Sequence, residues 1–322
     1  MTIANQPLLS IIVPAYNEQE VIAAFHDRLI AALTDLRYAI EVVYINDGST
    51  DDTLAILEDL YAKDPRVTLV DLSRNFGKEI ALTAGLHKAQ GDAIVVIDAD
   101  LQDPPELIPQ LITEWENGYD VVYARRTQRK GETWLKKASA AGFYRIIQRL
   151  SKVRIPEDTG DFRLLSRRAV DALNTLSEQH RFMKGLFAWI GYKQKAVYYD
   201  RDPRFAGKTK WNYWKLWNFA IDGITSFTTA PLKFATYIGF LTAFVAFVYG
   251  SYMLVRTLVF GNPVPGYPSL IVIILFLGGV QLMAIGVVGE YVGRIFTETK
   301  RRPLYFLNEY KPRRDADNDS NQ

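Results

Sequence analysis

The first part of the chain alternates between two patterns of hydrophobic and polar positions. Apolar residues recur at helical spacing in Glu18–Leu36 and Asp51–Ala62, and the sequence Pro104-Pro105-Glu106 is typical of a helix start. Between these segments lie short runs rich in Val and Ile, as in strands buried on both faces of a largely parallel sheet. The predicted strands are Leu9–Val13, Glu41–Ile45, Val67–Leu72, Ala93–Ile97 and Asp120–Ala124. The alternation predicts a doubly wound α/β domain.

The last part of the chain has two long uncharged stretches, Phe234–Val255 and Pro268–Gly289. As helices that rise 1.5 Å per residue, each would be about 33 Å long, which is sufficient to cross the hydrocarbon core of a bilayer. The alternative is a helical hairpin buried inside a large soluble protein, but uncharged runs of this length are rare in soluble folds. The two stretches therefore predict a transmembrane hairpin.

Basic residues flank the predicted hairpin on its outer sides, whereas the connection after Arg256 is uncharged. The flanking residues are Lys208, Lys210, Lys215, Lys233, Arg294, Lys300, Arg301 and Arg302. The positive-inside rule then predicts a multi-pass protein of the inner membrane, with the α/β domain and both termini in the cytoplasm. Just before the hairpin, the aromatic segment Trp211–Phe227 is either a core helix or, as we prefer, an amphipathic helix in the membrane interface.

These patterns divide the chain into four segments. They are the α/β domain (1–210), the interfacial helix (211–230), the transmembrane hairpin (231–297) and a cytoplasmic tail (298–322) that we expect to be disordered after Pro312. The chain has no cysteine, which excludes disulfides and thiolate metal sites. The net charge of +2 argues neither for nor against an anionic partner, and we expect no nucleic acid among the partners.

Local charge is more informative than net charge. Between Arg125 and Arg154, basic residues far outnumber acidic ones, of which Glu132 is the only example. This asymmetry indicates an acidic ligand or an anionic membrane surface.

Polar side chains follow four of the predicted strands at their carboxyl ends, where open α/β sheets bind ligands. They lie in Pro14–Glu18, Asn46–Ser49, Arg74–Lys78 and Asp98–Asp103. Turn chemistry explains any one of these clusters, but four on one edge indicate a binding site. Asp98 and Asp100 are one residue apart, and such carboxylates can place Mg²⁺ or Mn²⁺ beside a nucleotide diphosphate. The same triplet can also cap the following helix.

Two of these clusters resemble signatures of the family 2 inverting glycosyltransferases, which have the nucleotide-sugar-binding GT-A fold. They are Asn46–Asp51 (NDGSTD) and Asp98–Glu106 (DADLQDPPE). The resemblance covers nearly the whole chain. Within the family, the C-terminal stretches and Gly289–Arg294 are most similar to the polyprenyl-phosphate group, which includes bactoprenol glucosyltransferases and dolichol-phosphate mannose synthases.

The resemblance implies roles for the matching residues. The base and ribose would be held by Pro14, Tyr16, Glu18 and Asp47, with Asp98 approaching the nucleotide, and the metal would be held by Asp100 and Gln102. The segment Asp158–Arg163 (DTGDFR) matches an acidic motif near the sugar and the acceptor. It gives Asp158 and Asp161 as candidate catalytic residues without deciding which one faces the reacting centre. The alternative for this segment is a simple turn before a strand.

Two sets of basic residues also match. Arg204–Lys210 (RFAGKTK) resembles a mobile loop of the family, in which Arg204 and Lys210 would neutralise the diphosphate. Basic residues beside a membrane helix can also contact lipid headgroups. Arg125 and Lys137 match positions that bind the acceptor phosphate. Those relatives have Arg at the second position, so Lys137 keeps the charge but lacks the bidentate fork.

The implied reaction is inverting transfer of a hexose, with glucose from UDP-glucose as the leading expectation, to undecaprenyl or another polyprenyl phosphate, with Mg²⁺ or Mn²⁺ as cofactor. Processive members carry Gln-x-x-Arg-Trp, which Gln179–Phe182 does not fit, so a single transfer is favoured. The open alternatives are a dolichol-phosphate-mannose-type synthase that uses GDP-mannose and a non-catalytic membrane scaffold with a GT-A shell. A homo-oligomer assembled through the hairpins is compatible with this architecture.

Overall fold

The computed structural model describes residues 6–127, 159–200, 228–260 and 266–314. Within them, eight strands form one sheet in the order β7-β5-β6-β4-β1-β2-β3-β8. The strands are β1 Leu8–Ala15, β2 Ala39–Asn46, β3 Val67–Leu72, β4 Ala93–Val96, β5 Val121–Arg126, β6 Thr159–Ser166, β7 Gln194–Tyr199 and β8 Leu307–Lys311. The five strands that the hydrophobic runs predict are all present, and β6, β7 and β8 are additional.

The described helices alternate with the strands, as the sequence pattern predicts. They are α1 Ile22–Leu33, α2 Thr53–Lys63, α3 Lys78–Lys88, α4 Ile108–Glu116, α5 Arg167–Asn174, α6 Met183–Trp189, α7 Ala230–Phe260 and α8 Tyr267–Thr299. A short 3₁₀ turn, Pro105–Leu107, leads into α4 at the predicted proline start. The first helix begins at Ile22 rather than at Glu18, because residues 18–21 form the turn that leads from β1 into the helix.

Six of the eight strands run in one direction. β1, β2, β3 and β4 pair in parallel, as do β5 and β7, whereas β6 is antiparallel to both of its neighbours, β4 and β5. The strand β8 is antiparallel to β3 at the sheet edge. The sheet is therefore mostly parallel, and the amino end of β6 lies at the edge where its neighbours have their carboxyl ends.

Both faces of the sheet are covered by helices, which confirms the doubly wound prediction. Apolar residues of α1, α2 and α4 pack on one face, and those of α3, α5 and α6 pack on the other. Neighbouring residues of one strand accordingly enter different cores: Ile11 faces the first set of helices and Ile12 the second. A Cβ at Gly85 would lie 2.5 Å from Ile12 Cγ2, so the absence of a side chain there lets α3 lie close to the sheet.

The helices α7 and α8 differ from the rest because their apolar side chains are exposed. They have 31 and 33 residues, and both are long and apolar enough to cross a membrane. Phe240 of α7 is 74% exposed and Leu282 of α8 is 71% exposed, which excludes the alternative of a hairpin buried in a soluble core. The predicted interfacial segment Trp211–Phe227 lies outside the described residues.

The segment after α8 returns to the α/β domain. The edge strand β8 pairs with β3, and Asn308 Nδ2 donates to Asp71 Oδ2 at 3.1 Å. Arg313 N donates to Thr68 Oγ1 at 2.9 Å and Arg314 N donates to Pro65 O at 3.1 Å. Residues 298–314 are thus part of the folded structure, which the prediction of a simple tail missed. Residues 315–322, where disorder was also predicted, lie outside the described residues.

Candidate active site

The predicted site residues that the structure describes lie at one edge of the sheet. Pro14 belongs to the end of β1, Asp47 follows β2 and Asp98 follows β4. The amino end of β6 adds Asp161 at the same edge. The four polar clusters that the sequence placed at strand ends therefore do lie together, as open α/β sheets require for ligand binding.

The turn that contains Asp47 and Gly48 packs directly against the loop after β3. Asp47 Oδ1 accepts the backbone N–H of Phe76 at 2.7 Å, and Asp47 Oδ2 accepts that of Gly77 at 3.0 Å. Gly48 has a φ of +63°, and a Cβ there would lie 2.4 Å from the backbone C of Arg74. Burial raises the pKa of Asp47 above its ordinary value. Asp47 thus holds the loop 74–77 in place, and each of its oxygens keeps a lone pair for a ligand.

The loop after β1 is held in place by hydrogen bonds to residues 49–53, which follow β2. Asn17 has a φ of 54°, its N–H donates to Ser49 Oγ at 3.1 Å, and its Oδ1 accepts the N–H of Thr50 at 2.8 Å. The N–H of Glu18 donates to Thr53 Oγ1 at 2.9 Å. Tyr16, which precedes Asn17, is 37% exposed. The loops after β1, β2 and β3 therefore form one ordered surface.

The centre of the site is an ion-paired cluster of Asp98, Lys78 and Asp161. Lys78 Nζ lies 2.7 Å from Oδ2 of Asp98 and 2.6 Å from Oδ2 of Asp161. The register of β4 and β6 explains why Asp98 lies close to Asp161. Val96 pairs with Arg163, and the same antiparallel register, continued by two residues, places Asp98 opposite Asp161. Lys78 is the first residue of α3, which starts just beyond β3.

The charges of this cluster stabilise one another. Desolvation alone would lower the pKa of Lys78, but attraction to Asp161 and Asp98 raises it. Burial alone would raise the pKa of Asp161, but Lys78 and Lys184 hold it well below its usual range. Burial and the negative charge of Asp161 raise the pKa of the adjacent Glu79 to about 7. At neutral pH, Asp161 is therefore ionised and Lys78 is protonated.

The loop after β4 is a tight turn that contains the two predicted metal ligands, Asp100 and Gln102. Leu101 has a φ of 58°, and Gln102 N donates to Asp100 Oδ1 at 3.1 Å. Asp103 is buried and accepts the hydroxyl of Tyr199. Among the described residues, no three His, Asp or Glu side chains converge as a metal site. The donor set of Asp100 and Gln102 offers hard oxygens and fits a divalent ion whose remaining ligands come from phosphate and water.

The described part of the acidic motif, at the start of β6, is stabilised by its own arginine, Arg163. Arg163 Nη2 donates to Gly160 O at 2.9 Å and Nε donates to Asp161 O at 3.2 Å. Desolvation lowers the pKa of Arg163 to about 10, which leaves it protonated at neutral pH. The described part of the motif, residues 159–163, is therefore the start of the strand β6.

Arg125, the predicted acceptor-phosphate residue, lies near the carboxyl end of β5. Its guanidinium carbon is 5.8 Å from the centre of the Tyr198 ring, and its backbone pairs with Thr159 of β6. It thus neighbours the acidic motif. The other basic candidates, Lys137, Arg204 and Lys210, and the catalytic candidate Asp158 lie outside the described residues.

Sequence reasoning missed three charged residues at this site: Lys78, Glu79 and Arg163. The first two lie at the start of α3, and the sequence offered only the polar cluster Arg74–Lys78 as a signal. Arg163 ends the matched acidic motif, but no role was assigned to it. The pairing of Asp98 with Asp161 depends on the antiparallel insertion of β6, which the hydrophobic pattern did not predict.

A mostly parallel, doubly wound sheet with an acidic cluster at this edge defines a GT-A nucleotide-sugar glycosyltransferase. Residues 10–173 match glycosyl transferase family 2, and residues 230–295 match the GtrB C-terminal hairpin. The chain belongs to glycosyl transferase family 2, and it is an enzyme of the glycosyltransferase class.

Similar proteins cover almost the whole chain. The uncharacterized glycosyltransferase sll0501 of Synechocystis is 54% identical over 94% of this chain and 95% of its own length. The bactoprenol glucosyl transferase of Shigella phage SfV is 50% identical over 94% of this chain and 99% of its own length. Glucosyl-3-phosphoglycerate synthase from Mycobacterium tuberculosis, solved with Mn²⁺, UDP-glucose and phosphoglyceric acid, has 20% identity and a TM-score of 0.44 over 67% of this chain and 76% of that one.

Proposed function

We propose that this protein transfers glucose from UDP-glucose to undecaprenyl phosphate, with inversion at the anomeric carbon. The observation that carries the proposal is the meeting of Asp98, from the nucleotide-side motif, and Asp161, from the acceptor-side motif, at one edge of the sheet. The bactoprenol glucosyl transferase of Shigella phage SfV, 50% identical over nearly its full length, supports the acceptor and the sugar.

In this proposal the donor nucleotide lies on the surface formed by the loops after β1, β2 and β3. Tyr16 and Pro14 would contact the base and ribose, and the carboxylates of Asp47 and the half-buried Glu18 would accept their N–H and O–H groups. Asp98 would lie at the junction between ribose and diphosphate. Arg204 and Lys210 would add positive charge at the diphosphate.

Asp100 and Gln102 would hold Mg²⁺ or Mn²⁺. When bound, the ion supplies positive charge against the departing diphosphate. The protein's own contribution is to present these two oxygens in a fixed turn, with Asp103 tied to Tyr199 behind them.

The acceptor is a phosphate monoester whose second pKa is about 6, so most of it is dianionic at neutral pH and needs no base. One of its oxygens attacks C1 of the sugar while the bond from C1 to the diphosphate oxygen breaks on the opposite face. Arg125 and Lys137 would position the phosphate. Asp161, ionised because Lys78 and Lys184 outweigh its burial, is a weak base but a strong hydrogen-bond acceptor. We assign it, together with Asp158, to orienting the sugar and the acceptor.

The acceptor's lipid tail requires a membrane-bound enzyme. The exposed apolar faces of α7 and α8 supply two membrane-crossing helices, and the interfacial segment 211–230 would lie along the surface. The basic flanks support an orientation in which the domain and both termini would lie on the cytoplasmic side, where nucleotide-sugars are found. Lateral assembly of copies through the hairpins is compatible with this arrangement.

A transfer assay tests the proposal. The purified chain in phospholipid vesicles with undecaprenyl phosphate and Mn²⁺ is given radiolabelled UDP-glucose or GDP-mannose, and the anomeric configuration of the lipid product is read by NMR. We expect a β-glucosyl phosphate lipid from UDP-glucose. Transfer from GDP-mannose alone would establish the mannose-synthase alternative. An α-linked product would exclude single displacement, and absence of both transfer and donor hydrolysis would favour the scaffold.

A further inference from the structure

Lys78 is the one basic residue, among those that the structure describes, whose ammonium touches both acidic motifs of the site. Its Nζ lies 2.7 Å from both carboxylate oxygens of Asp98 and 2.6 Å from Oδ2 of Asp161. The three residues come from three separate elements, the start of α3, the loop after β4 and the strand β6. The Lys78 ammonium therefore lies between the carboxylates of Asp98 and Asp161, which would otherwise repel each other.

The carboxylates are enclosed, and part of their bonding capacity is unused. The side chains of Asp98 and Asp161 are only 22% and 13% exposed. Oδ1 of Asp161 is buried and accepts no hydrogen bond from the described residues, and Oδ1 of Asp98 makes none of good geometry although Nζ lies close by. Two enclosed carboxylates with free lone pairs are what a divalent cation prefers, and the Lys78 ammonium now compensates one of their two negative charges.

A divalent ion at the neighbouring Asp100 and Gln102 must therefore approach a site that already contains a positive charge. Repulsion between Lys78 and the ion weakens the binding of the ion. In addition, the positive charge of Lys78 offsets much of the attraction that Asp98 and Asp161 exert on the ion. A nucleotide diphosphate adds negative charge and oxygen ligands of its own. It can satisfy Lys78 and the ion together, so the two ligands favour each other's binding.

We propose that Lys78 is a built-in counter-cation that excludes divalent metal from the donor-free site, so that metal and donor enter as a pair. The inference rests on the proposed function only in assigning a nucleoside diphosphate to this edge. Lys78 acts here through its charge: it competes with the metal for Asp98 and Asp161, and the diphosphate compensates it when the donor binds. A donor-free enzyme of this kind keeps its acidic motifs together without a bound ion.

The test is a titration of the purified full chain with Mn²⁺, followed by the EPR signal of free Mn²⁺, with and without saturating UDP or GDP, and with the Mn²⁺ that each nucleotide binds in protein-free solution subtracted. For the wild type we expect Mn²⁺ to bind at least about 10-fold more tightly with nucleotide than without, a coupling within the usual range for linked sites. Equal Mn²⁺ affinity with and without either nucleotide would overturn the proposal, and this measurement needs no variant. Coupling with GDP but not UDP would support the role of Lys78 while contradicting the assigned donor.

Substitutions then locate the effect. Lys78→Met and Lys78→Gln remove the charge, and each should tighten donor-free Mn²⁺ binding by about 10-fold and reduce the coupling to nucleotide. Lys78→Arg keeps the charge and should behave as the wild type. Lys88→Met, at the other end of the same helix α3, is the matched control and should leave Mn²⁺ affinity unchanged. If Lys78→Met and Lys78→Gln fold and bind Mn²⁺ as the wild type does, Lys78 has only a structural role and the proposal is wrong.

Discussion

The guanidinium of Arg163 lies 3.8 Å from the centre of the Phe187 ring. This contact joins the acidic motif at the start of β6 to the helix α6, and the same guanidinium bonds the carbonyls of Gly160 and Asp161. The position of the Asp161 carboxylate thus depends on a residue that touches no part of the proposed substrates.

Arg163→Lys should consequently impair catalysis more than binding. Lysine keeps the charge but lacks the planar fork that bonds two carbonyls and stacks on a ring, so the start of β6 at Gly160 and Asp161 loosens. We expect kcat to fall about 10-fold or more with little change in the donor KM. Steady-state kinetics with varied donor measure both. Arg37→Lys, whose side chain is 76% exposed, is the control. Equal effects of the two substitutions would contradict the positioning role.

Gly48 is predicted to tolerate no side chain. An alanine Cβ would lie 2.4 Å from backbone atoms of both Arg74 and Asn75, in addition to the strain of a φ of +63°. Gly48→Ala should lower the free energy of unfolding by about 3 kcal/mol, and it should also weaken UDP binding because the loop 74–77 is displaced.

The matched control for this substitution is Gly191→Ala. Gly191 has a φ of +72°, but the nearest atom to its Cβ would be 3.9 Å away. Only the backbone strain remains there, which costs about 1 kcal/mol. Chemical denaturation of both variants separates strain from steric clash. Similar losses at the two positions would show that the contact with the loop 74–77 is unimportant.

Glu79 should make stability depend on pH in an unusual direction. Its pKa is raised from 4.5 to about 7, chiefly by burial, so the folded protein binds this proton more tightly than the unfolded chain does. Stability contributed by this group is therefore present below about pH 4.5 and is lost as the pH rises to about 7.

Glu79→Gln keeps an acceptor for the N–H of Met183, which Glu79 bonds at 3.3 Å, but it cannot ionise. The melting temperature of this variant should rise relative to that of the wild type between pH 5 and pH 8. Thermal unfolding across that range measures the difference. A constant difference between variant and wild type would mean that Glu79 does not titrate there.

The proposed membrane orientation can be tested cleanly because the chain has no cysteine. Phe260→Cys lies at the end of α7 and is expected outside the cytoplasm, whereas Asp59→Cys lies on α2 of the catalytic domain. An impermeant thiol reagent should label the first variant in intact cells and the second only after permeabilisation. The opposite pattern would reverse the hairpin.

The hydrophobic pattern was sufficient to predict the first five strands, the helices α1, α2 and α4 and the apolar hairpin, because each is a local feature with a clear period, but it did not give α3. It failed where a contact joins distant segments. β8 is short, half exposed and separated from its partner β3 by most of the chain. The approach of Lys78 to Asp98 and Asp161 depends on the register of β4 and β6, which no local pattern specifies. The resemblance located the acidic motifs, but the charge that joins them became visible only in the fold.

The ionisation of Asp161 leads to the last prediction, which distinguishes an orienting carboxylate from a general base. The pKa of Asp161 is held well below its usual range, so this group does not titrate between pH 5 and pH 9. The wild-type rate should instead fall below about pH 6, where the acceptor phosphate dianion takes up one proton, becomes the monoanion and loses nucleophilicity. Asp161→Asn should lower kcat about 100-fold at every pH, because an orienting interaction is lost, without moving the midpoint of the pH–rate profile.

Asp158→Asn, measured in parallel, shows whether the neighbouring aspartate shares the role. The rate is followed as transfer to undecaprenyl phosphate with saturating donor. If Asp161→Asn removes the acidic limb or shifts its midpoint, Asp161 is the group that titrates and it acts as a base. If the variant keeps the wild-type rate throughout, Asp161 has no part in the reaction.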